Sequence, residues 1–337
     1  MSAPTPGAVG APATRRLTCG EAIVEAIAQE MRRDERVWVL GEDVARGGLW
    51  GQYKDFLSEF GEQRVVSTPI SESTIMGAGL GSALVGMRPI IEMRIFDFVM
   101  CAMDELVNQI AKIRYMFGGQ AKPAVVVRMP HGMWRNSAAQ HSQMLEAWFA
   151  HLPGVVVVTP STAEDTAGLL VQAIRSDDPV LFFDPKDLFG VPGNIADPIE
   201  PIPFGKARQV VEGDAATVVS WSAAMPVATK GVAMLASDKI QVDLFDLRTI
   251  WPWDQEAVIA SVKKTGRLLV VHEAVEVAGF GAEIVATVVD KLGPSNIKAA
   301  RRLAAPRIPI PFAPPLEAEV RVTPEKVVSA VKALIAG

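Results

Sequence analysis

Cysteine is nearly missing from this sequence: only Cys19 and Cys101 occur, far apart and outside any C-x-x-C pattern. A disulfide framework, a zinc ribbon and a cysteine-held iron–sulfur cluster are thereby excluded. Charge of one sign is lacking too. The 33 Lys and Arg stand against 38 Asp and Glu, a net −5 with no basic block. Nucleic acid, whose phosphates require a clustered positive face, is therefore not an expected partner. No window supplies the run of about 18 uncharged apolar residues that a membrane span needs. The opening, MSAPTPGAVGAPATRR, has no apolar core and does not read as a secretory signal. It is poor in acid and carries Arg15 and Arg16, as transit peptides do, but its prolines and glycines oppose the amphipathic helix such a peptide forms. Residues 1–16 read as a flexible arm on a soluble cytoplasmic protein.

What is present is the material of a well-cored protein. The 337 residues are 49% hydrophobic and 21% charged, enough for two domains of ordinary size. Short β-branched runs alternate with helical patterns. Strands are expected at Val37–Leu40, Arg88–Met93, Ala124–Arg128, Val155–Thr159 and Pro179–Asp184, and several are continuously apolar, as strands buried on both faces should be. Helices are expected near Thr18–Arg33, Ser73–Gly86, Val99–Phe117 and Thr162–Arg175. The segment Val191–Phe204 holds four prolines in fourteen residues and reads as a linker without regular structure. Beyond it come strands near Ala216–Trp221, Gln241–Asp246 and Arg267–Val271, and helices near Ala223–Ala236, Asp254–Lys264, Gly281–Leu292 and Pro324–Ile335. The alternation predicts an α/β protein of two three-layer α/β/α domains, at 17–190 and 205–337, each built on a parallel sheet.

Candidate chemistry clusters where strands end. His141 lies in Ala138-Ala-Gln-His-Ser-Gln143, after a strand and a loop, where α/β sheets place ligands. His131 stands at a similar strand end. Glu72 closes Thr68-Pro-Ile-Ser-Glu72 just before a helix. A bland reading competes there, with Ser71 as N-cap and Glu72 complementing the helix dipole. Gly77, Gly79 and Gly81 miss the spacing of a dinucleotide fingerprint and suit close helix packing. Phe98, in Arg94-Ile-Phe-Asp-Phe-Val99, reads equally as core. No pairing of histidines or carboxylates gives metal-ligand spacing, and no G-x-S-x-G elbow exists.

Taken together, these stretches resemble the β subunit of the thiamine diphosphate-dependent E1 component of 2-oxo acid dehydrogenase complexes, from about residue 17 to the C-terminus. The resemblance is carried by Leu40-Gly-Glu-Asp-Val44, Thr68-Pro-Ile-Ser-Glu72, Gly86-Met-Arg-Pro89, Ala139-Gln-His-Ser-Gln143, Ala173-Ile-Arg175, Asp246-Leu-Arg-Thr249, Val271-His-Glu-Ala274 and Gly279-Phe-Gly-Ala-Glu283, in that order. It implies a pyrimidine-binding domain followed by a transketolase C-terminal-type domain. It implies that Glu72 hydrogen-bonds N1′ of the cofactor's aminopyrimidine, that Phe98 stacks on that ring, and that Glu42 and Ile70 line the same pocket. His141 would face the reactive centre and assist acyl transfer to the lipoyl domain of the E2 acyltransferase. A potassium ion on main-chain oxygens around Val125, Ala173, Ile174, Ser176 and Asp178 is a further implication. His272 reads as structural.

The superfamily's magnesium-anchoring motif, Gly-Asp-Gly with a later Asn-Asn, is missing; the chain's Gly213-Asp214 continues into Ala215. The resemblance therefore implies a separate α subunit that brings Mg²⁺ and the diphosphate, in an α2β2 heterotetramer, with little activity in isolated β. The substrate expected is a small 2-oxo acid, pyruvate first. Acetoin, favoured by Arg114-Tyr-Met-Phe-Gly-Gly119, and branched-chain 2-oxo acids are the alternatives. Outside this class stand a non-catalytic assembly or regulatory subunit and a split transketolase-like enzyme acting on sugar phosphates. One departure from the family stands out. Between Pro130 and Ala138 several glycines are usual, and here His131-Gly-Met-Trp-Arg-Asn-Ser137 has one. Trp134 or Arg135 is expected to reshape the substrate pocket or lipoyl access, unless the loop is simply a remodelled surface.

Overall fold

The computed structural model describes residues 13–336. In chain order the elements are β1 (Ala13–Thr18), α1 (Cys19–Arg33), β2 (Val37–Gly41), α2 (Phe56–Phe60), β3 (Val65–Ser67), α3 (Glu72–Leu84), β4 (Arg88–Glu92), α4 (Ala111–Met116), β5 (Val126–His131), α5 (Glu146–Ala150), β6 (Val156–Val158), α6 (Ala163–Arg175), β7 (Val180–Pro185) and β8 (Pro192–Asp197). The second half adds β9 (Arg208–Val211), β10 (Thr217–Ser220), α7 (Ala224–Ser237), β11 (Asp243–Asp246), β12 (Thr249–Trp251), α8 (Gln255–Thr265), β13 (Arg267–Val275), α9 (Phe280–Leu292), β14 (Ala299–Ala305), α10 (Pro314–Val320) and α11 (Pro324–Ala336).

Two mixed sheets, mostly parallel, carry the fold. The first has seven strands in the order β12-β6-β7-β5-β4-β2-β3, the second five in the order β14-β13-β10-β11-β9. Helices α1 and α6 cover one face of the first sheet, packing Ile23, Ile27, Leu170 and Ile174 on Val39, Ile90, Val126 and Phe182. Helix α3 and the segment after β4 cover the other, with Ile75, Leu80 and Phe96 on Ile91, Val127 and Phe183. Successive residues of β4, β5 and β7 thus enter different cores, which is why these strands read as unbroken apolar runs. In the second sheet α7 and α11 cover the outer face, while α8 and α9 join the core that contains α3. That shared core, running without a break from Leu40 to Val288, binds the two α/β units.

Three expectations change against the structure. Residues 13–16 of the expected arm belong to β1, while residues 1–12 lie outside the described residues. The expected linker contains β8, which pairs antiparallel with β1 from Thr18↔Pro192 to Ala13↔Asp197. Its prolines obscured it: Pro192 takes the first strand position and Pro198 follows the last, so the interior keeps its donors. The helix expected over Val99–Phe117 is instead a 3₁₀ turn at Phe96–Ala102, a π-helical stretch at Glu105–Ile110 and then α4. Strand β12, which belongs to the second half of the chain, lies antiparallel to β6 at the edge of the first sheet. Beside it Arg248 reaches the buried carboxylate of Asp165 on α6 at 2.8 Å, and Arg208 does so at 3.1 Å.

Local signals explain the boundaries. Thr18 starts α1 with a capping box: its hydroxyl accepts from Glu21 N at 3.2 Å and the Glu21 carboxylate accepts from Thr18 N at 2.8 Å. Gly41 ends β2 at φ +154°, where a Cβ would sit 2.5 Å from the Glu92 carbonyl of the neighbouring strand. Gly41→Ala should therefore separate β2 from β4 and cost about 1–3 kcal/mol, as overpacking does; urea unfolding of the variant would measure it. Of the three α3 glycines only Gly79 has the expected packing role, since a Cβ there would meet Ile91 Cδ1 at 2.3 Å, whereas one at Gly77 or Gly81 would meet nothing within 4 Å. No helix among the described residues is long and apolar enough to cross a membrane.

Candidate active site

The sheet order brings the candidate residues to one edge. Strands β5, β4, β2 and β3 are neighbours and parallel. His141 follows β5, Phe98 follows β4, Glu42 follows β2, and Glu72 follows β3 as the first residue of α3. All four sit beyond carboxyl ends of parallel strands, the place where open α/β sheets bind ligands.

Glu42 and Glu72 are close enough to interact. Burial, with the Glu72 charge beside it, pushes the Glu42 carboxyl up, against the opposing pull of Arg94. Arg94 reaches Glu42 at 3.6 Å and Asp43 at 2.9 Å. It ties the end of β4 to the end of β2, and leaves the half-buried Glu72 carboxylate without an ion pair among the described residues. Glu72 does stand in the first turn of α3, as the dipole reading expects, but the capping half fails: Ser71 makes no side-chain bond to the start of the helix. Its hydroxyl instead points to the Pro69 carbonyl at 3.5 Å. Ile70 is 76% exposed beside them. A half-buried carboxylate with no ion pair among the described residues, next to a second carboxyl, offers acceptors suited to a heterocycle carrying both a protonatable ring nitrogen and an amino group.

Phe98 and His141 meet edge to face, their ring centroids 5.4 Å apart. Three anchors hold the His141 loop. The buried Asp97 accepts from the Gln143 side chain at 2.8 Å and from its backbone N at 3.3 Å. Glu273, from the second sheet, accepts from Met133 N at 2.9 Å, and burial pushes its carboxyl up to about 7. Lys186, in the turn after β7, donates to the main-chain oxygen of His141. Sequence reasoning missed Asp97, Glu273 and Lys186. Val271-His-Glu-Ala274 pointed at the right stretch but to no role for the glutamate.

Two further histidines, His131 and His272, are structural. His131 is buried against Ser222 at 3.1 Å and burial lowers its pKa to about 3. His272 stacks on Trp221 with centroids 5.2 Å apart, bonds the Ala274 carbonyl at 3.1 Å, and is likewise lowered to about 4. Beneath the site Arg128 is fully buried between Glu92 and Asp184, the latter at 2.7 Å, and Tyr53 donates to Glu92 at 2.7 Å.

Arg135 lies over the Trp134 ring at 4.7 Å, and Trp134 packs edge-on against Trp50 at 6.1 Å. With Phe189 and Lys186 they line a cavity of about 520 Å³ that none of Glu42, Ile70, Glu72, Phe98 or His141 lines. Four of the five main-chain oxygens expected to hold potassium accept hydrogen bonds: Arg88 donates to those of Ile174 at 3.0 Å and Ser176 at 2.8 Å, Val180 N to Val125 at 2.9 Å, and Ser176 N to Ala173 at 3.2 Å. The Asp178 carboxylate pairs with Arg114. An ion there would share the Ile174 and Ser176 oxygens with the Arg88 guanidinium. Among the described residues no three His, Cys, Asp or Glu side chains gather to hold a metal.

Comparison with known proteins covers nearly the whole chain. Residues 15–191 match the family described as transketolase, pyrimidine binding domain, and residues 205–327 the transketolase C-terminal domain. A pyruvate dehydrogenase E1 component subunit beta from Rickettsia bellii is 41% identical over 318 residues, 94% of this chain and 98% of the relative. The beta subunit of an acetoin:2,6-dichlorophenolindophenol oxidoreductase from Cupriavidus necator is 42% identical, covering 90% of this chain and 93% of its own. A 2-oxoisovalerate dehydrogenase subunit beta from Bacillus subtilis is 40% identical, covering 93% and 97%. Among solved structures, a split-gene transketolase described as an inactive beta4 tetramer shares the fold, with TM-score 0.79 at 21% identity over 95% of this chain and 98% of that one.

Proposed function

The chain belongs to the family of E1 β subunits of 2-oxo acid dehydrogenase complexes, and from that premise we propose that it forms the pyrimidine-binding half of a thiamine diphosphate-dependent E1 acting on pyruvate. In the overall reaction the bond from the 2-oxo carbon to the carboxylate breaks and CO₂ leaves. The acyl group is oxidised as the lipoyl disulfide of the E2 acyltransferase is reduced and takes that group as a thioester. The observation that supports the reading best is the Glu72 carboxylate, without an ion pair among the described residues, beside Glu42 on the sheet edge whose neighbouring strands also lead to Phe98 and His141.

Bound thiamine diphosphate would supply a thiazolium carbon nucleophile and, in its aminopyrimidine, the base that activates it. The chain's own residues would orient and tune that group. Glu72 would hold a proton at the pyrimidine N1′, which favours the imino form of the ring. Glu42, whose carboxyl is pushed up by burial with Glu72 beside it, would stand next to Glu72 at that ring. Phe98 and the exposed Ile70 would pack on the ring. His141, on the far side, would hold or move a proton at the acyl group as it passes to the lipoyl sulfur.

The diphosphate and Mg²⁺ fall to an α subunit, since the chain has neither Gly-Asp-Gly nor Asn-Asn. Tyr115, 88% exposed, and Val85, 82% exposed, are apolar side chains suited to such a neighbour. The test is co-expression with the candidate α subunit, followed by assay with thiamine diphosphate, Mg²⁺ and an artificial electron acceptor. Turnover of pyruvate is expected only in the assembled sample. Preference for acetoin or a branched-chain 2-oxo acid would reassign the substrate. Turnover by this chain alone would overturn the split site, and transfer to an aldose phosphate would favour the transketolase-like alternative.

A further inference from the structure

We propose that Lys186 is a positioning residue for His141: its ammonium, brought in from the turn after β7, fixes the backbone of the loop that presents the imidazole to the active-site edge. The inference rests on the role given to His141 above, and concerns a residue to which that role assigns nothing.

Lys186 is 2% exposed. A lysine so buried is ordinarily neutralised by a carboxylate. Here, among the described residues, its hydrogen bond goes to a main-chain oxygen, that of His141, and to no carboxylate. Asp97, Glu273 and Glu317 act on it only through space, and each is committed elsewhere, to Gln143, to Met133 N and to Arg321. A desolvated ammonium on a neutral oxygen is a costly arrangement to keep for packing alone, since a methionine would fill the same volume.

The loop needs such a hold. Arg135, Asn136 and Ala138 adopt φ of +47°, +57° and +61°, a region that non-glycine residues enter only when their surroundings impose it. Its internal bonds are few: the Ser137 N at 3.1 Å and hydroxyl both donate to Trp134 O, His141 N donates to Ala138 O at 3.4 Å, and Gly132 N joins the two ends through Gln143 O at 3.3 Å. The ends of the loop are pinned by Glu273 at Met133 and by Asp97 at Gln143. Between those pins, Lys186 seizes the histidine residue itself. The imidazole meets Phe98 but takes its height above the sheet from a backbone that Lys186 holds.

The test uses the assembled enzyme and the variants Lys186→Met, Lys186→Arg and His141→Ala. Hydrogen exchange, followed by mass spectrometry on the cofactor-free assembly, should show amides in the 134–143 peptide exchanging at least about 10-fold faster in Lys186→Met, with α1 and α6 unchanged. In the loaded enzyme, acyl transfer to a free lipoyl domain should fall about 10-fold, a loss in the range that small misplacements produce. Turnover with an artificial electron acceptor should stay within about 2-fold, and Lys186→Arg, which keeps a donor, should recover part of the loss. Unchanged exchange in Lys186→Met would overturn the inference, as would a parallel loss in both assays. Faster exchange together with a His141→Ala enzyme that transfers normally would leave Lys186 as the loop's anchor and remove His141 from acyl transfer, so the two failures are distinguishable.

Discussion

Glu72→Gln should lower turnover of the assembled enzyme by about 10²–10⁴, the span typical of a group that places a proton in the transition state. The substitution keeps the shape and removes the charge. Glu72 forms no ion pair among the described residues, and its neighbour Arg94 is committed to Glu42 and Asp43. Loss of the Glu72 charge should therefore leave folding within about 0.5 kcal/mol, as for surface substitutions away from buried networks. The Glu42 carboxyl, relieved of a like charge, should titrate lower in the variant than in the wild type. Steady-state turnover with pyruvate and an artificial acceptor, beside a thermal melt of the same sample, reads both effects. An enzyme that keeps turnover within about 3-fold would sink the catalytic reading and favour an assembly subunit that merely retains the fold.

Arg128→Met should be the most damaging single change to stability. The guanidinium is 0% exposed, contacts Glu92, and lies 2.7 Å from Asp184. Removing it strands two buried carboxyls, which typically costs about 3–5 kcal/mol. The pH dependence has a definite sign. Burial already lifts Asp184 to about 7 even with Arg128 beside it, and without the cation the carboxyl should rise further. A carboxyl whose folded pKa lies above its unfolded one contributes most at low pH and loses that contribution as pH rises through the shifted range. The deficit of the variant should therefore be small near pH 5 and grow toward pH 8. Denaturant unfolding at those two values is the measurement, and a deficit below about 1 kcal/mol that ignores pH would show that Glu92 and Asp184 do not depend on Arg128. The variant Glu92→Gln/Arg128→Met/Asp184→Asn should recover much of the loss, because no charge is then left buried.

Much of the fold was legible because its strands are buried on both faces. Val126–His131 and Val180–Pro185 carry apolar side chains into two different cores, and a run that short and that apolar fits a central strand of a covered sheet better than any amphipathic element. Edge strands hid better. Ala299–Ala305 contains two arginines and pairs on one side, so its pattern is that of a loop. Pro192–Asp197 was obscured by the proline density around it. At the site, Glu42, Glu72, Phe98 and His141 are expectations of the family resemblance, and the sheet order places all four beyond the carboxyl ends of neighbouring strands. Lys186 left no local trace. Its partner lies 45 residues away, and a lysine in a short turn looks like solvent-facing charge until the chain is folded. Trp134 and Arg135 were noticed for what they replaced, yet the side of the loop they occupy was decided by Trp50, a residue nothing in the sequence had linked to them.

Strand β12 gives the protein's ancestry a mechanical constraint. Because Thr249–Trp251 closes the edge of a sheet whose other strands all come from the first half of the chain, the second half is not a detachable cassette. A chain cut after residue 204 would present β6 as an open edge, a template for intermolecular pairing, and would forfeit the clasp of Arg208 and Arg248 on Asp165. Recombination between relatives should therefore tolerate crossovers within surface turns far better than exchange of either half, and the two halves should melt in a single step. Lineages that redistribute this superfamily's parts among separate genes would have to carry β12 along with the sheet it completes.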